Sequence, residues 1–305
     1  MIKTDKVAIL LATYNGEKYV EEQLDSLLNQ TNKDWIVYIH DDGSIDSTCA
    51  IIDKYCFAHP DHFVKIKGEP TGGAKNNFYF LLRKVEAPYY MFCDQDDVWL
   101  ADKIEKSKEK IILEDNIPCM AFSDLKIVDS KRNVIADSLW NYYKFDMDHI
   151  TIEKLIVRNV VTGCTIILNK MLRDLMIRFN NIENVPMHDK WAALLALKFG
   201  KMIKINKSLI LYRQHENNTI GAIDNRNVSV IFNKVKNRKR IHSNYEYTWR
   251  QAKELSEVFE LDRKDAICKY ASLGEHCKIV RLYIYIKYGF FTESISQCIG
   301  LLISG

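Results

Sequence analysis

VAILLATYNGEKYVEEQLDSLLNQ, residues 7–30, reads as a strand running straight into a helix. A continuous apolar run of this kind is a strand buried on both faces, since a half-exposed strand would alternate with polar residues. Val20, Leu24, Leu27 and Leu28 then recur at the spacing of one helix face. The alternation continues outward from there. WIVYIHDD (35–42) is a second strand, followed by a helix over Asp46–Tyr55 with Ser44 or Asp46 as its N-cap. FVKIKGE (63–69), a helix over Asn77–Lys84 and the strand YYMFCDQDD (89–97) complete the series. Strand–helix alternation predicts an α/β fold with a mostly parallel central sheet flanked by helices. Ligands of such sheets collect at the carboxyl ends of the strands, where Thr13, Asn15, Asp41, Asp42, Asp94, Asp96 and Asp97 all fall.

Further along, CMAFSDLKIVD (119–129), TGCTIILN (162–169) and SLILYRQH (208–215) read as strands. HDKWAALLALKFG (188–200) reads as a helix with Gly200 as C-cap. After Gly221 the chain turns helical, basic and aromatic, which places a catalytic domain at 1–222 and a helical appendage at 223–305. The 305 residues suit one large domain with such an addition. Eight cysteines without a CxxC spacing, several inside apolar runs, read as core residues of a cytoplasmic protein. No run of 18 apolar residues predicts a spanning helix, and the N-terminal run lacks signal-peptide flanks.

The net charge of +3 is unevenly placed. Residues 223–305 carry 14 Lys/Arg against 9 Asp/Glu, whereas the remainder carries 29 against 31. A basic tail fits a phosphate-rich surface or a solvated helical face. Without a concentrated basic groove, nucleic acid is not an expected partner. Tyr283, Tyr285, Phe290, Phe291 and the amphipathic stretch Val228–Arg240 leave open a peripheral membrane contact, a packed hairpin and a homodimer interface.

Asp94-Gln95-Asp96-Asp97 places three carboxylates within four residues. They repel unless solvated or joined by a cation. Mg²⁺ or Mn²⁺ takes oxygen ligands from one or two carboxylates and completes its shell with diphosphate oxygens and water. An acidic turn in which Asp97 caps the next helix is the alternative. In Asp41-Asp42-Gly43-Ser44 an Asp can accept from a pyrimidine imide, although DDGS is also a common turn. Asp189 opens a helix, as a general base or as a carboxylate complementing the helix dipole. Arg213 and His215 follow a buried strand, where a cation and an imidazole can bind a leaving diphosphate or add a nitrogen ligand to a metal.

TYNGEKYVEEQLDSLLNQT, DDGSIDST and DQDDVW, in that order, resemble the inverting glycosyltransferases of family 2, which have the GT-A fold. FCDQDDVWLADK, VTGCT, MHDKWAALLA and LYRQHENNTIGA are similar to bacterial rhamnosyltransferases of cell-wall and capsular polysaccharide synthesis. The resemblance covers roughly residues 5–222. It implies that Thr13, Tyr14 and Asn15 line the nucleotide pocket and that Asp42 contacts the base. It implies further that Asp94 approaches ribose or metal, that Asp96 is the principal ligand of Mg²⁺ or Mn²⁺, beside which the residue reading sets His215, and that Asp189 is the catalytic base. The family's Glu-Asp pair stands here as His188-Asp189, so the role of His188 is open. The loop TGGAKNNF (71–78) would place Asn77 near the diphosphate, together with Arg213. The implied donor is dTDP-L-rhamnose, with a UDP-hexose as the alternative, and the implied acceptor is a lipid-linked saccharide. A sugar nucleotidyltransferase would open with a glycine-rich, basic loop where this chain has TYNGEKY. A non-catalytic nucleotide-sugar binder would not need both the acidic motif and Asp189.

Overall fold

The computed structural model describes residues 2–215 and 238–291. These form two compact units, one made of residues 2–144, 161–177 and 187–215 and the other of 145–160, 178–186 and 238–291. The expected boundary near residue 222 lies outside the described residues. Two internal segments, 145–160 and 178–186, belong with the C-terminal helices, which the sequence pattern does not foretell.

The first unit begins with β1 (Ile2–Lys3), β2 (Val7–Thr13), α1 (Val20–Leu28), β3 (Trp35–Asp41), α2 (Thr48–Ala58), β4 (Phe63–Lys65), α3 (Ala74–Lys84), β5 (Val85–Glu86) and β6 (Tyr89–Asp94). Then come β7 (Val98–Trp99), α4 (Lys103–Ile111), β8 (Cys119–Val128), β9 (Val134–Ala136) and α5 (Leu139–Tyr143). The helix α6 (Ile152–Val157) belongs to the second unit; β10 (Ile166–Asn169), α7 (Lys170–Met176), α8 (His188–Phe199) and β11 (Lys201–Arg213) return to the first. The main sheet has the order β4-β3-β2-β6-β10-β8-β11-β7, with β9 on the flank of β8. From β4 to β6 every pairing is parallel, as the alternation predicts. Beyond β6 the sheet is mixed: β10 is antiparallel to both neighbours, and β8 and β11 pair in parallel. This α/β architecture, with helices flanking the sheet and a separate helical unit, is that of the GT-A fold.

The apolar runs explain the core. Val7 to Leu11, Val37, Ile39 and Met91 to Cys93 are fully buried, and α1 closes over the sheet with Val20, Leu24 and Leu27. The α2 helix starts at Thr48, with Ser47 in the N-cap position. Asp46 stands one residue earlier, where its carboxylate accepts the Thr48 N–H at 3.0 Å. Gly200 does end α8, donating its N–H to Ala196. The reason for glycine there is close approach, since a Cβ would lie 1.7 Å from the Pro118 carbonyl oxygen.

The second unit is built on α9 (Arg238–Val258), α10 (Ala266–Ala271) and α11 (Lys278–Tyr288). Its core joins Trp249, Leu255, Ile267, Tyr270, Leu273 and Tyr285. Buried Glu254 on α9 accepts the N–H groups of Asn180 and Asn181, which ties the 178–186 segment to the helices. Among the described residues no helix is long and apolar enough to cross a membrane.

Candidate active site

The parallel register sets three strand ends side by side: Thr13 of β2 faces Asp41 of β3, and Ala12 faces Asp94 of β6. Asp41 builds the turn that follows. Its carboxylate accepts from Thr13 Oγ1 (2.8 Å), Ser44 Oγ (2.6 Å) and the N–H groups of Ser44 and Gly43. Burial works against the charge, but the Ser44 and Thr13 hydrogen bonds hold this carboxyl below its ordinary range. Gly43, at φ 88°, gives the turn a conformation that side chains disfavour.

The TYNG segment is locked from two sides. Asn15 sits at φ 46°, donating its N–H to Ser44 Oγ and accepting the Ile45 N–H on its side chain. Gln95 makes two hydrogen bonds of 2.9 Å to the backbone of Tyr14, one with each end of its amide. A Cβ on Gly16 would meet that amide at 2.2 Å. The Tyr14 side chain is left 57% exposed at the rim. Asp42 points to the next loop and accepts from Thr71 N and Oγ1, Gly72 N and Gly73 N. Both glycines have positive φ, so the loop can wrap its amides around one carboxylate. Only a minor part of Asp42's hydrogen-bonding capacity remains for a ligand.

Two residues expected at the diphosphate look inward instead. Asn77 is 1% exposed, and both ends of its amide are engaged with His40, through Nδ1 at 2.9 Å and the carbonyl oxygen at 3.0 Å. It braces α3 against β3. Arg213 is equally buried. Its guanidinium donates to the Asp96 and Ser130 carbonyls (2.8 Å each) and to the Glu22 carboxylate, and it stacks 4.6 Å from the Tyr19 ring centroid. Its backbone N–H donates to Asp97 Oδ1. Arg213 thus holds the DQDD turn in place from within the fold.

The acidic residues of the DQDD turn act on one another. Burial, then the charges of Asp96 and Asp189, push Asp94 up to about 7. Asp189, at the start of α8, is therefore within electrostatic reach of Asp94. Asp97 is fully buried with Oδ2 unpartnered, and burial beside Asp96 and Asp94 raises it well above the carboxylate range. His215 Nε2 lies 2.8 Å from Asp96 Oδ2, its ring against Tyr19 at 4.9 Å.

These donors fit a divalent cation, in that carboxylates crowded together gain from a shared positive charge. Asp96 and Asp94 offer hard oxygens, and His215 offers a nitrogen that Mn²⁺ accepts readily. Among the described residues Asp94, Asp97 and Cys164 also bring ligand atoms within 4.8 Å of one another. Burial keeps the Cys164 thiol protonated, and a soft, protonated sulfur is a poor ligand for either ion. Cys164 is therefore set apart from the ligand set.

His188 is a packing residue. Its ring packs against both Phe78 (4.2 Å) and Phe92 (4.3 Å), and neither nitrogen has a hydrogen-bond partner. Burial holds it down to about 3, so it is neutral in the ordinary pH range. Gly163 makes room for it, since a Cβ there would lie 2.2 Å from Nε2. The sequence reading did not single out four further residues. Gln95 and Glu22 hold loops, as described. Tyr212 on β11 has its phenol raised by burial and by Asp97, Cys164, Asp94 and Asp96. Lys103 is buried 3.7 Å over the Trp99 ring, and burial lowers it to about 7. Only Gln95 carried a visible signal, through its place between two aspartates.

A profile of the family described as glycosyl transferase family 2 matches residues 8–176. The dTDP-rhamnosyl transferase RfbG of Shigella flexneri is 30% identical over 225 residues, covering 70% of this chain and 74% of that relative. Two other relatives are matched over 51% and 24% of their own length. Among solved structures, S. aureus TarS 1–349 in complex with UDP-GlcNAc superposes with a TM-score of 0.55 at 18% identity, over 93% of this chain and 79% of TarS. The mannosyltransferase PcManGT of Pyrobaculum calidifontis, in complex with GDP-Man and Mn²⁺, gives 0.55 at 14% identity, over 96% and 78%.

Proposed function

The chain belongs to glycosyl transferase family 2, and from that premise we propose that it transfers L-rhamnose from dTDP-L-rhamnose, with inversion, to a hydroxyl of a lipid-linked saccharide. The observation that supports it most is the acidic turn Asp94–Asp97 at the carboxyl end of β6, with the charge of Asp189 on α8 felt at Asp94. The rhamnosyl donor is favoured by the Shigella relative's name and by the FCDQDDVWLADK phrase. A UDP-hexose is the second reading, favoured by the UDP-GlcNAc complex of a structural neighbour.

In this reading Tyr14 and Asn15 border the nucleotide pocket and Asp42 fixes its wall. The acceptor hydroxyl gives its proton to the Asp189 carboxylate, its oxygen bonds to the anomeric carbon, and the bond from that carbon to the nucleoside diphosphate breaks. General bases of this kind contribute typically about 10²–10⁴-fold. Asp96, Asp94 and His215 would hold Mg²⁺ or Mn²⁺, which when bound stabilises the negative charge of the departing diphosphate. The enzyme would work on the cytoplasmic side, in peripheral contact with the membrane that carries its acceptor. Release of dTDP and UDP from a panel of nucleotide sugars, with Mg²⁺, Mn²⁺ or chelator, tests the reading. Release from neither class of donor with either metal would refute it.

A further inference from the structure

We propose that α11 is a membrane-docking helix that lies in the headgroup layer of an anionic bilayer. The inference rests on the reading above only in giving the docking a purpose, namely a lipid-borne acceptor. The physical case is independent. Ile279, Leu282, Tyr283 and Ile286 are 82%, 39%, 60% and 62% exposed. Their spacing of three, four and seven residues puts them on one stripe of the helix. The opposite face is anchored, because Ile284 and Tyr285 are buried and Tyr285 meets Tyr270 and Phe290 at ring distances of 6.4 Å. The apolar stripe is therefore turned outward by the packing of the rest of the helix.

The charges around the stripe decide its partner. From Cys277 to Phe291 there are three basic residues and no carboxylate. At about 100° per residue, Lys278 and Lys287 fall on either side of the stripe, roughly a quarter-turn away. Lys287 Nζ stands 5.5 and 5.7 Å from the centroids of the Tyr283 and Tyr288 rings, so its stem follows the aromatic edge. Arg281 is turned toward the fold, donating to the His276 carbonyl and stacking 4.7 Å from Trp249. A surface that only faces water normally mixes both signs of charge and avoids such a stripe. An interfacial helix needs an apolar stripe, tyrosine at headgroup depth, and basic residues whose stems run up to lipid phosphates. A second copy of the chain fits less well. Apposed copies of α11 would bring lysines together at the rim with no carboxylate on the helix to answer them.

The test is co-sedimentation of the full chain with phosphatidylcholine vesicles, alone or with about one-third phosphatidylglycerol. Binding is expected to the anionic vesicles, weaker at ~0.5 M salt because screening shortens the reach of the charges. The double variant Lys278→Glu/Lys287→Glu should reduce partitioning about tenfold or more, and Ile279→Asn/Ile286→Asn should do the same. Both should keep the wild-type thermal shift with nucleotide, which shows that they are folded. Failure of the wild type to bind anionic vesicles would overturn the proposal, as would unchanged binding of both variants. A dimer that dissociates in Ile279→Asn/Ile286→Asn, without vesicle binding by the wild type, would assign the face to a second copy instead. Donor release is measured separately, so loss of that activity would refute the enzymatic reading and leave the docking result standing.

Discussion

Replacing His188 by Leu should make the protein more resistant to acid while leaving its stability near neutral pH almost unchanged. The imidazole is buried against Phe78 and Phe92, and burial lowers it from its ordinary value to about 3. In the unfolded chain it titrates near its ordinary value of about 6.5. Between those two values the unfolded state binds one proton more than the folded state, so stability falls as pH falls. The contribution is fully present above about pH 6.5 and decreases by about 1.4 kcal/mol per unit below it. At pH 5 the loss is roughly 2 kcal/mol, a large fraction of a typical stability.

Leucine is close to histidine in size and carries no nitrogen. It removes two unpartnered polar atoms, a gain of about 1–3 kcal/mol, and gives up ring contacts worth about 0.5–1.5 kcal/mol for each aromatic pair. These terms nearly cancel at neutral pH. Urea unfolding of both proteins at pH 7.5 and pH 5 yields a difference of differences. Other titrating groups drop out of it, including Asp94, whose raised value acts in the opposite direction. The variant should gain about 2 kcal/mol on the wild type between the two conditions. Parallel losses in the two proteins would show that His188 is protonated in the fold and would refute the packing role. Donor affinity should be retained, since the imidazole has no partner in the site.

Three further outcomes are expected. Asp96→Asn should abolish turnover and the metal-dependent thermal shift with nucleotide while the fold persists; near-normal turnover in chelator would contradict the site. Asp189→Asn should keep donor affinity, measured by calorimetry, and lose roughly 10²-fold or more in kcat, whereas a collapse of donor affinity with an intact rate would make it a positioning residue. Glu22→Gln removes the carboxylate that pairs with buried Arg213 and with Arg132, so stability should fall by about 1–2 kcal/mol, a figure reduced because Glu22 is itself a third exposed, and metal affinity should weaken as the clamp on the Asp96 carbonyl loosens. Unchanged metal affinity in Glu22→Gln would separate that clamp from the metal site.

The parallel half of the sheet is legible in the sequence because each strand is a near-continuous apolar run ending in polar residues, and each is followed by a helix with one apolar stripe. The mixed half is not. The β10 strand has only four residues, and the register of β11 against β8 shifts twice, so neither its partner nor its direction can be read from a local pattern. Residues 145–160 and 178–186 likewise carry no local mark of belonging to the second unit. What places the latter is Glu254, more than 70 residues away along the chain.

The site divides on the same physical line. Position at a strand end follows from the fold class, so Thr13, Asn15, Asp42, Asp94 and Asp96 could be named from the alternation alone. Orientation depends on which polar partner each side chain finds, and those partners are distant in sequence. Asn77 meets His40, and Arg213 meets Glu22 and the Asp96 carbonyl, because a buried amide or guanidinium must satisfy its hydrogen bonds inside the fold before it can serve a ligand. The family resemblance suggested Asn77, and residue type suggested Arg213, as diphosphate binders; their burial points to bracing. The acidic cluster is a different case. Its carboxylates do meet partners, Arg213 at Asp97 and His215 at Asp96, but their mutual repulsion is still unrelieved, which is consistent with a shared cation. The charge of Asp189 on α8, nearly a hundred residues later in the chain, is also felt at Asp94, without any pairing in the sequence to announce it.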